Sequence, residues 1–259
     1  SLICQNGGRI YNDAGTKTEI DSEAGVAAFK TYTSLFNSYG LETYYDFPNR
    51  FRSGEMPLGI ANYQTFNTLS VAAPEIRGLW DFAFIPGTEK VDANGNVYID
   101  RSTGVGGFCC MMISKGSTDF VTTEAVNTFY GNSTNEDKEQ LLKDRNKKVL
   151  RNIQRQADSW EFMKWWVSTD TQVRFGREIE AILGASSRYP TANVEALRQL
   201  PWSTSHLNVL LGSLEETVGV PEVPGSYYTQ RHVINGIRKV INTHDDPRET
   251  LIEYARKIN

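Results

Sequence analysis

The stretch VPEVPGSYYTQR, residues 220–231, sets two tyrosines and an arginine directly behind two prolines and a glycine. VINGIRKVIN then continues with helical spacing. Tyr227, Tyr228 and Arg231 are residue types suited to binding. The rings carry large amphipathic faces, and the guanidinium is a fixed cation with five donors. Tyr227 and Arg231 stand four apart on the helix and are therefore neighbours. At helical spacing they lie about 80–120° from the centre of the apolar stripe formed by Val233, Ile234, Ile237, Val240 and Ile241, and Tyr228 lies further round. The core face of the helix does not require them. Two readings stay open: tyrosine edges laid over the core with Arg231 paired to a surface carboxylate, or one wall of a binding site.

Residues that could react are present without the spacing that reaction needs. His206, His232 and His244 have no partner at metal-ligand spacing, so each reads as a surface or capping residue. Cys4, Cys109 and Cys110 include no Cys-x-x-Cys pair, and adjacent cysteines on a strand point to opposite faces, so all three read as small apolar fillers. Glu178 and Glu180 are two apart on an expected helix and diverge. Gly104-Val-Gly-Gly lacks the spacing of a dinucleotide loop, and neither a phosphate loop with a lysine nor a Gly-x-Ser-x-Gly elbow occurs. The reading is of a protein that is not an enzyme, with no cofactor and no metal.

The elements that position these residues alternate between helical and extended periods. DSEAGVAAFKTYTSLFNSYG reads as a helix capped by Asp21 and stopped at Gly40, with Val26, Phe29, Leu35 and Phe36 at helical spacing. A turn at Ser53–Gly54, braced by Glu55, leads to a short expected strand, Leu58–Ala61. A second expected strand alternates through Trp80, Phe82 and Phe84, with Trp80 as core. KVDANGNVYID predicts a hairpin around Asn-Gly. STGVGGFCCMMISKGS predicts a buried strand with a glycine-rich approach, read either as a loose entry or as a crossing that flexes. Ser133-x-x-Glu136 is an expected capping box ahead of a charged helix, whose spacing sets Phe162, Trp166 and Val173 on a buried stripe. Asp246, Pro247 and Glu249 form a complete helix start.

Composition bounds the class. With 259 residues, a net charge of −4 and 22% charged residues, the chain suits one or two soluble domains and offers no basic surface for nucleic acid. No apolar run is long enough to span a bilayer and no leader opens the chain. SLICQNGGRIY reads as a strand and turn from the middle of a fold, so the expectation is a fragment lacking its N-terminal part.

Several stretches in order carry a resemblance: Phe51-Arg-Ser-Gly-Glu-Met-Pro-Leu-Gly-Ile-Ala, Trp80-Asp-Phe-Ala-Phe-Ile-Pro-Gly, Gly104-Val-Gly-Gly, Trp160-Glu-Phe-Met-Lys-Trp-Trp-Val, and Pro221 to Arg231. Together the chain resembles the extracellular solute-binding proteins of bacterial ABC transporters, in the maltose and oligosaccharide-binding branch. Its tail is most similar to the lipid-anchored Gram-positive type.

The resemblance implies an α/β, type II periplasmic-binding-protein-like fold, with two lobes joined by crossing strands. Residues 1–103 would be part of the second lobe. Residues 104–200 would hold the crossing strand and a helical segment returning to the first lobe, and residues 201–259 would pack back on the second. The implied ligand contacts are Tyr63, Gln64, Tyr227, Tyr228 and Arg231, and the implied hinge is Gly104, Gly106 and Gly107. The implied ligand is a sugar or oligosaccharide. The implied partners are permease subunits, and the implied location is extracellular, either lipid-anchored or periplasmic. Two other classes stay open: a carbohydrate-active enzyme, and an interaction module built on the charged helix near 130–158.

Overall fold

A computed structural model describes residues 1–105, 116, 118–129, 131 and 133–259. Gly106, Gly107, Cys109, Cys110 and the apolar run after Gly107 lie outside the described residues. In chain order the elements are α1 (Leu2–Gln5), α2 (Glu23–Asn37), α3 (Phe47–Arg52), α4 (Tyr63–Ala72), β1 (Thr88–Val91), β2 (Val97–Asp100) and β3 (Thr103–Val105). They continue with α5 (Thr123–Phe129), α6 (Asn135–Val167), α7 (Thr169–Leu183), α8 (Val194–Leu197), α9 (Thr204–Glu215), β4 (Thr217–Gly219), α10 (Ser226–Thr243) and α11 (Pro247–Ile258). The chain forms two compact units, Ser1–Phe108 with Glu180–Arg188 and Pro201–Asn259, and Cys109–Ile179 with Tyr189–Leu200.

The first unit is centred on α2, α10 and α11. Ile20, Phe29, Val240, Leu251 and Ala255 form its buried core. Each helix has a chemical reason to start where it does. Ser22 accepts the Gly25 N–H, so the cap of α2 is one residue beyond the expected Asp21. Asp246 accepts the Glu249 N–H with Pro247 at the first helical position, as expected for α11. Gly40, at φ +69°, follows the end of α2 and lets the Leu41 N–H reach back to the Leu35 carbonyl at 3.0 Å. Cross-ties complete the layer: the Asn37 amide donates to the Val240 carbonyl at 3.1 Å, and Asn259 Oδ1 accepts from the Thr18 N–H at 2.8 Å.

The chain opening differs from expectation. Residues 2–5 are helical, and the first extended pairing is a bridge between Tyr11 and Thr18. The hairpin is where Asn-Gly places it: β1 and β2 pair antiparallel from Thr88↔Asp100 to Val91↔Val97, with Gly95 at φ +84° and the Asp92 carboxylate accepting from the Asn94 and Asn96 N–H groups. β3 pairs parallel with β4, Thr103↔Thr217 to Val105↔Gly219, so Gly104 is a ladder residue of the first unit.

The two expected strands at Leu58–Ala61 and Trp80–Phe84 are not strands. Both lack regular secondary structure, and Leu58 and Ile60 are 85% and 76% exposed. An apolar run forms a strand only where a neighbour offers its backbone groups, and the described residues offer none.

In the second unit Thr134, not Ser133, caps α6 by accepting the Asp137 N–H. Asn146 ties α6 to the start of α5 by accepting the Val121 N–H and donating to the Val121 carbonyl. Gln172 is buried, accepting from Thr191 Oγ1 at 2.8 Å and donating to the Trp166 carbonyl at 2.7 Å. The expected Phe162–Trp166–Val173 stripe fails at one end. Ser168 breaks the helix, Val173 is buried, Trp166 is half-buried against Phe175, and Phe162 is 55% exposed beside Trp165. A single helical phase cannot be carried across the extended backbone of Ser168.

Gly25 decides how α2 begins. A Cβ there would overlap the Ile20 carbonyl, and that obstacle is backbone. Gly25→Ala is expected to cost about 1–3 kcal/mol, the usual range for overpacking, read as a lower urea midpoint.

Candidate functional site

α10 begins without a side-chain cap. Gly225 stands at φ +96°, and the turn before it is held by Ser226 Oγ, which accepts the Val223 N–H at 2.8 Å and lies 3.3 Å from the Tyr11 hydroxyl. The inner side of the first two turns is Thr229, which is buried. The outer side is Tyr227, 76% exposed, with Tyr228 at 49% and Arg231 also exposed. The core leaves Tyr227 and Arg231 out, as the helical count expects, but the buried face is turned from the expected stripe: Thr229, Gly236 and Val240 are buried, and Ile234 is 39% exposed. No hydrogen bond, ion pair or ring contact engages Tyr227 or Arg231 among the described residues, so the reading of Arg231 as a partner of a surface carboxylate has no support there.

Tyr228 is different: its ring meets His232 edge-on, with centroids 4.2 Å apart. His232 also packs against Tyr254 of α11, and its Nδ1 is buried with no hydrogen-bond partner. It is not the surface or capping residue that the sequence suggests. His244 is a capping residue, the left-handed C-cap of α10 at φ 57°.

α10 is pinned to α11 by charge as well as packing. Lys239 donates to Glu253 at 2.8 Å and pairs with Asp245 at 3.2 Å, while Lys257 donates to the other Glu253 oxygen at 2.6 Å. The hydrogen bond from Lys239, then that from Lys257, holds the Glu253 carboxyl down at about 2.

Tyr63 and Gln64 open α4, which Asn62 caps by accepting the Thr65 N–H. The two diverge. Gln64 is exposed, whereas Tyr63 turns inward, donating to the Arg188 carbonyl at 3.3 Å and meeting the Trp202 ring edge-on. Burial, the main cause, pushes its phenol far above the ordinary range, so it stays a donor. No contact joins Tyr63 or Gln64 to the α10 trio among the described residues.

The inward face of α4 belongs to a cluster that sequence spacing does not reveal. Phe66 is in ring contact with Trp80, Phe82, Trp202 and His206. His206 stacks on Phe82 with centroids 4.6 Å apart and places Nε2 2.7 Å from Asp81 Oδ1. It too is more than a surface residue. Trp80 packs edge-on to Phe51 and Phe66, in line with a core role. Arg188 organises the cluster. Its guanidinium grips Glu180 with Nε at 3.0 Å and Nη2 at 2.6 Å from Oε1, and it lies 4.9 Å from the Trp202 ring centroid. Its carbonyl also accepts from the Asn67 amide at 3.0 Å. The one signal in the sequence was the presence of Arg188 in a proline-bearing loop; its partners are 8 to 125 residues away.

No group of three histidine, cysteine or acidic side chains is placed to hold a metal ion among the described residues, and no helix among them is long and apolar enough to cross a membrane.

No protein-family model matches this chain, and no curated protein does. A solved structure does match: the solute-binding protein of an ABC transporter from Thermotoga lettingae TMO, bound with alpha-D-tagatose. The likeness has a TM-score of 0.59 at 16% sequence identity and covers 100% of this chain and 54% of that one. At that identity it is a likeness of fold. This chain has the mixed α/β fold of part of a solute-binding protein, and it spans about half the length of that neighbour.

Two outcomes are expected. Arg188→Ala leaves the Glu180 carboxylate half-buried and unpaired, at a cost of about 3 kcal/mol, the low end for a broken buried pair. Arg188→Ala with Glu180→Ala should recover part of that in urea denaturation. For Glu253 the folded-state value is depressed, so its contribution is complete above the ordinary carboxylate value of 4.5 and is lost as pH falls towards about 2. The stability gap between wild type and Glu253→Gln should accordingly close between about pH 4.5 and pH 2.

Proposed function

We propose that this chain is part of the solute-capture subunit of a bacterial ABC importer, and that it binds a carbohydrate without chemical change. The observation that carries the reading is the first turn of α10. Tyr227, Tyr228 and Arg231 stand exposed on a helix whose opposite face is locked into the core, within a fold shared with a solute-binding protein that holds a sugar. Ring faces stack on the apolar faces of sugars, and a planar guanidinium donates to hydroxyls. Gln64, exposed at the start of α4, adds amide donors and an acceptor. Tyr63 is placed in the same proposed site from the start of α4, with its hydroxyl committed to the Arg188 carbonyl and its ring packed against Trp202 and Phe66.

In this reading the subunit belongs to the maltose and oligosaccharide-binding branch, with a type II two-lobed fold. Residues 1–103 and 201–259 belong to one lobe, and 104–200 cross from it. Gly104, Gly106 and Gly107 supply the flexible crossing, so that ligand held by both lobes favours a closed form, which the permease subunits recognise. The protein works outside the cytoplasmic membrane, lipid-anchored or periplasmic. The exposed Leu58 and Ile60 support the further reading that additional polypeptide of the same subunit covers this segment.

A thermal-shift panel of monosaccharides, including α-D-tagatose, and oligosaccharides tests the proposal, since a bound ligand raises apparent stability by mass action. With the best ligand, Tyr227→Ala should weaken binding about 5–10-fold, in line with the loss of one ring contact, and leave Tm within a degree or so because the ring is exposed. Unchanged calorimetric affinity in the variant removes Tyr227 from the site.

A further inference from the structure

We propose that the outer face of α6 is an interaction surface for an anionic lipid bilayer, with its cations on the headgroups and its C-terminal rings at the headgroup boundary. Lys143, Lys147, Arg151 and Arg155 follow one another at spacing four, so each stands one turn from the next. At helical spacing these four, Phe162 and Trp165 fall within about 120° of arc. The arc points away from the packed side of the helix. On that packed side Val149 is buried, and the Gln156 amide donates to the Gly116 carbonyl at 3.3 Å. All four cations are exposed, and Phe162 and Trp165 are each 55% exposed. From Lys143 to Trp165 the stripe is about 33 Å long. No part of it is shared with α10.

The fold itself has no use for these cations. Like charges one turn apart repel and weaken a helix, and no ion pair engages any of the four among the described residues. The acidic side chains beside them on α6 are already occupied. Asp144 accepts from Gln140 at 3.1 Å, Asp158 from Gln154 at 2.8 Å and Glu161 from Lys164 at 2.6 Å. The net charge of the chain is −4, so the cations are gathered here against the overall balance. An anionic partner relieves their repulsion, and the rings identify its kind. A soluble polyanion would use the cations and leave Phe162 and Trp165 in water. A bilayer uses both: anionic headgroups take the lysines and arginines, and aromatic rings settle at headgroup level. A stripe this straight also meets a plane along its whole length. No helix among the described residues is long and apolar enough to cross a membrane, so α6 would lie on the surface.

Co-sedimentation of the whole chain with lipid vesicles is the test. Wild type should pellet with vesicles of equimolar phosphatidylglycerol and phosphatidylcholine, and about tenfold less with phosphatidylcholine alone. Raising the salt should release it, an arm that needs no variant. Lys147→Glu combined with Arg151→Glu should weaken binding by about a hundredfold, while Tm should not fall because both positions are exposed. Trp165→Ser should weaken binding several-fold. Brominated lipid should quench the tryptophan emission of the wild type more than that of Trp165→Ser. Phosphatidylglycerol vesicles that leave the wild type in solution, or that capture the charge-reversed variant equally well, overturn the proposal. Capture that charge reversal abolishes, but that neither Trp165→Ser nor brominated lipid registers, marks a site for a soluble polyanion or an acidic protein and overturns the bilayer as the partner.

Discussion

The burial of Val240 among Ile20, Phe29, Leu251 and Ala255 is the constraint on which the site depends. An amphipathic helix has one rotational freedom that matters, and burying Val240 with Gly236 and Thr229 fixes it. Once those three face inward, Tyr227 and Arg231 must face water. The fit at position 236 is tight, since a Cβ there would stand 3.2 Å from the Tyr254 ring and 3.6 Å from Phe29. The Lys239–Glu253 pair adds a charged tie between α10 and α11. A binding surface mounted on such a helix gives up little freedom when it meets a ligand, and that preorganisation raises affinity without any further contact.

The start of α4 reaches a fixed position by another route. It lacks an amphipathic stripe of its own in the main core; what fixes it is a node, Arg188, that gathers a carboxylate, an indole, a phenol and an amide from distant parts of the chain. Most of these are polar groups removed from water. Their value lies less in net stability than in geometry, since a half-buried guanidinium that serves Glu180 bidentately has one acceptable orientation. Fixing Tyr63 inward is what leaves Gln64 pointing out.

What the sequence made legible was local. The α11 start, the Asn-Gly hairpin and the outward set of α10 each follow from interactions within about four residues, and each is found. The caps of α2 and α6 were misplaced by one residue, because aspartate and serine or threonine compete for the same role on neighbouring positions. Leu58–Ala61 and Trp80–Phe84 have strand composition without strand structure, since pairing is decided by a neighbour and composition cannot supply one. The roles of Arg188, His206 and His232 were hidden for a related reason. Each depends on a partner contributed by another element: Glu180 and Trp202 for Arg188, Asp81 and Phe82 for His206, Tyr254 for His232.

If α10 is the ligand wall proposed above, its energetics bear on what kind of site it can be. Two ring contacts at about 0.5–1.5 kcal/mol each and one charge-assisted hydrogen bond at about 1.5–3 kcal/mol amount to roughly 4 kcal/mol, which corresponds to millimolar affinity even before the cost of association. A capture protein that works on dilute solute needs more than that from its ligand. The wall is thus too weak to act alone, and its weakness is informative. If one surface held the ligand tightly, the second would add little, and ligand would not discriminate an open form from a closed one. On the proposed reading, an aromatic wall that binds feebly by itself would leave most of the binding energy to be gained on closure, which is the condition for ligand to shift a conformational balance.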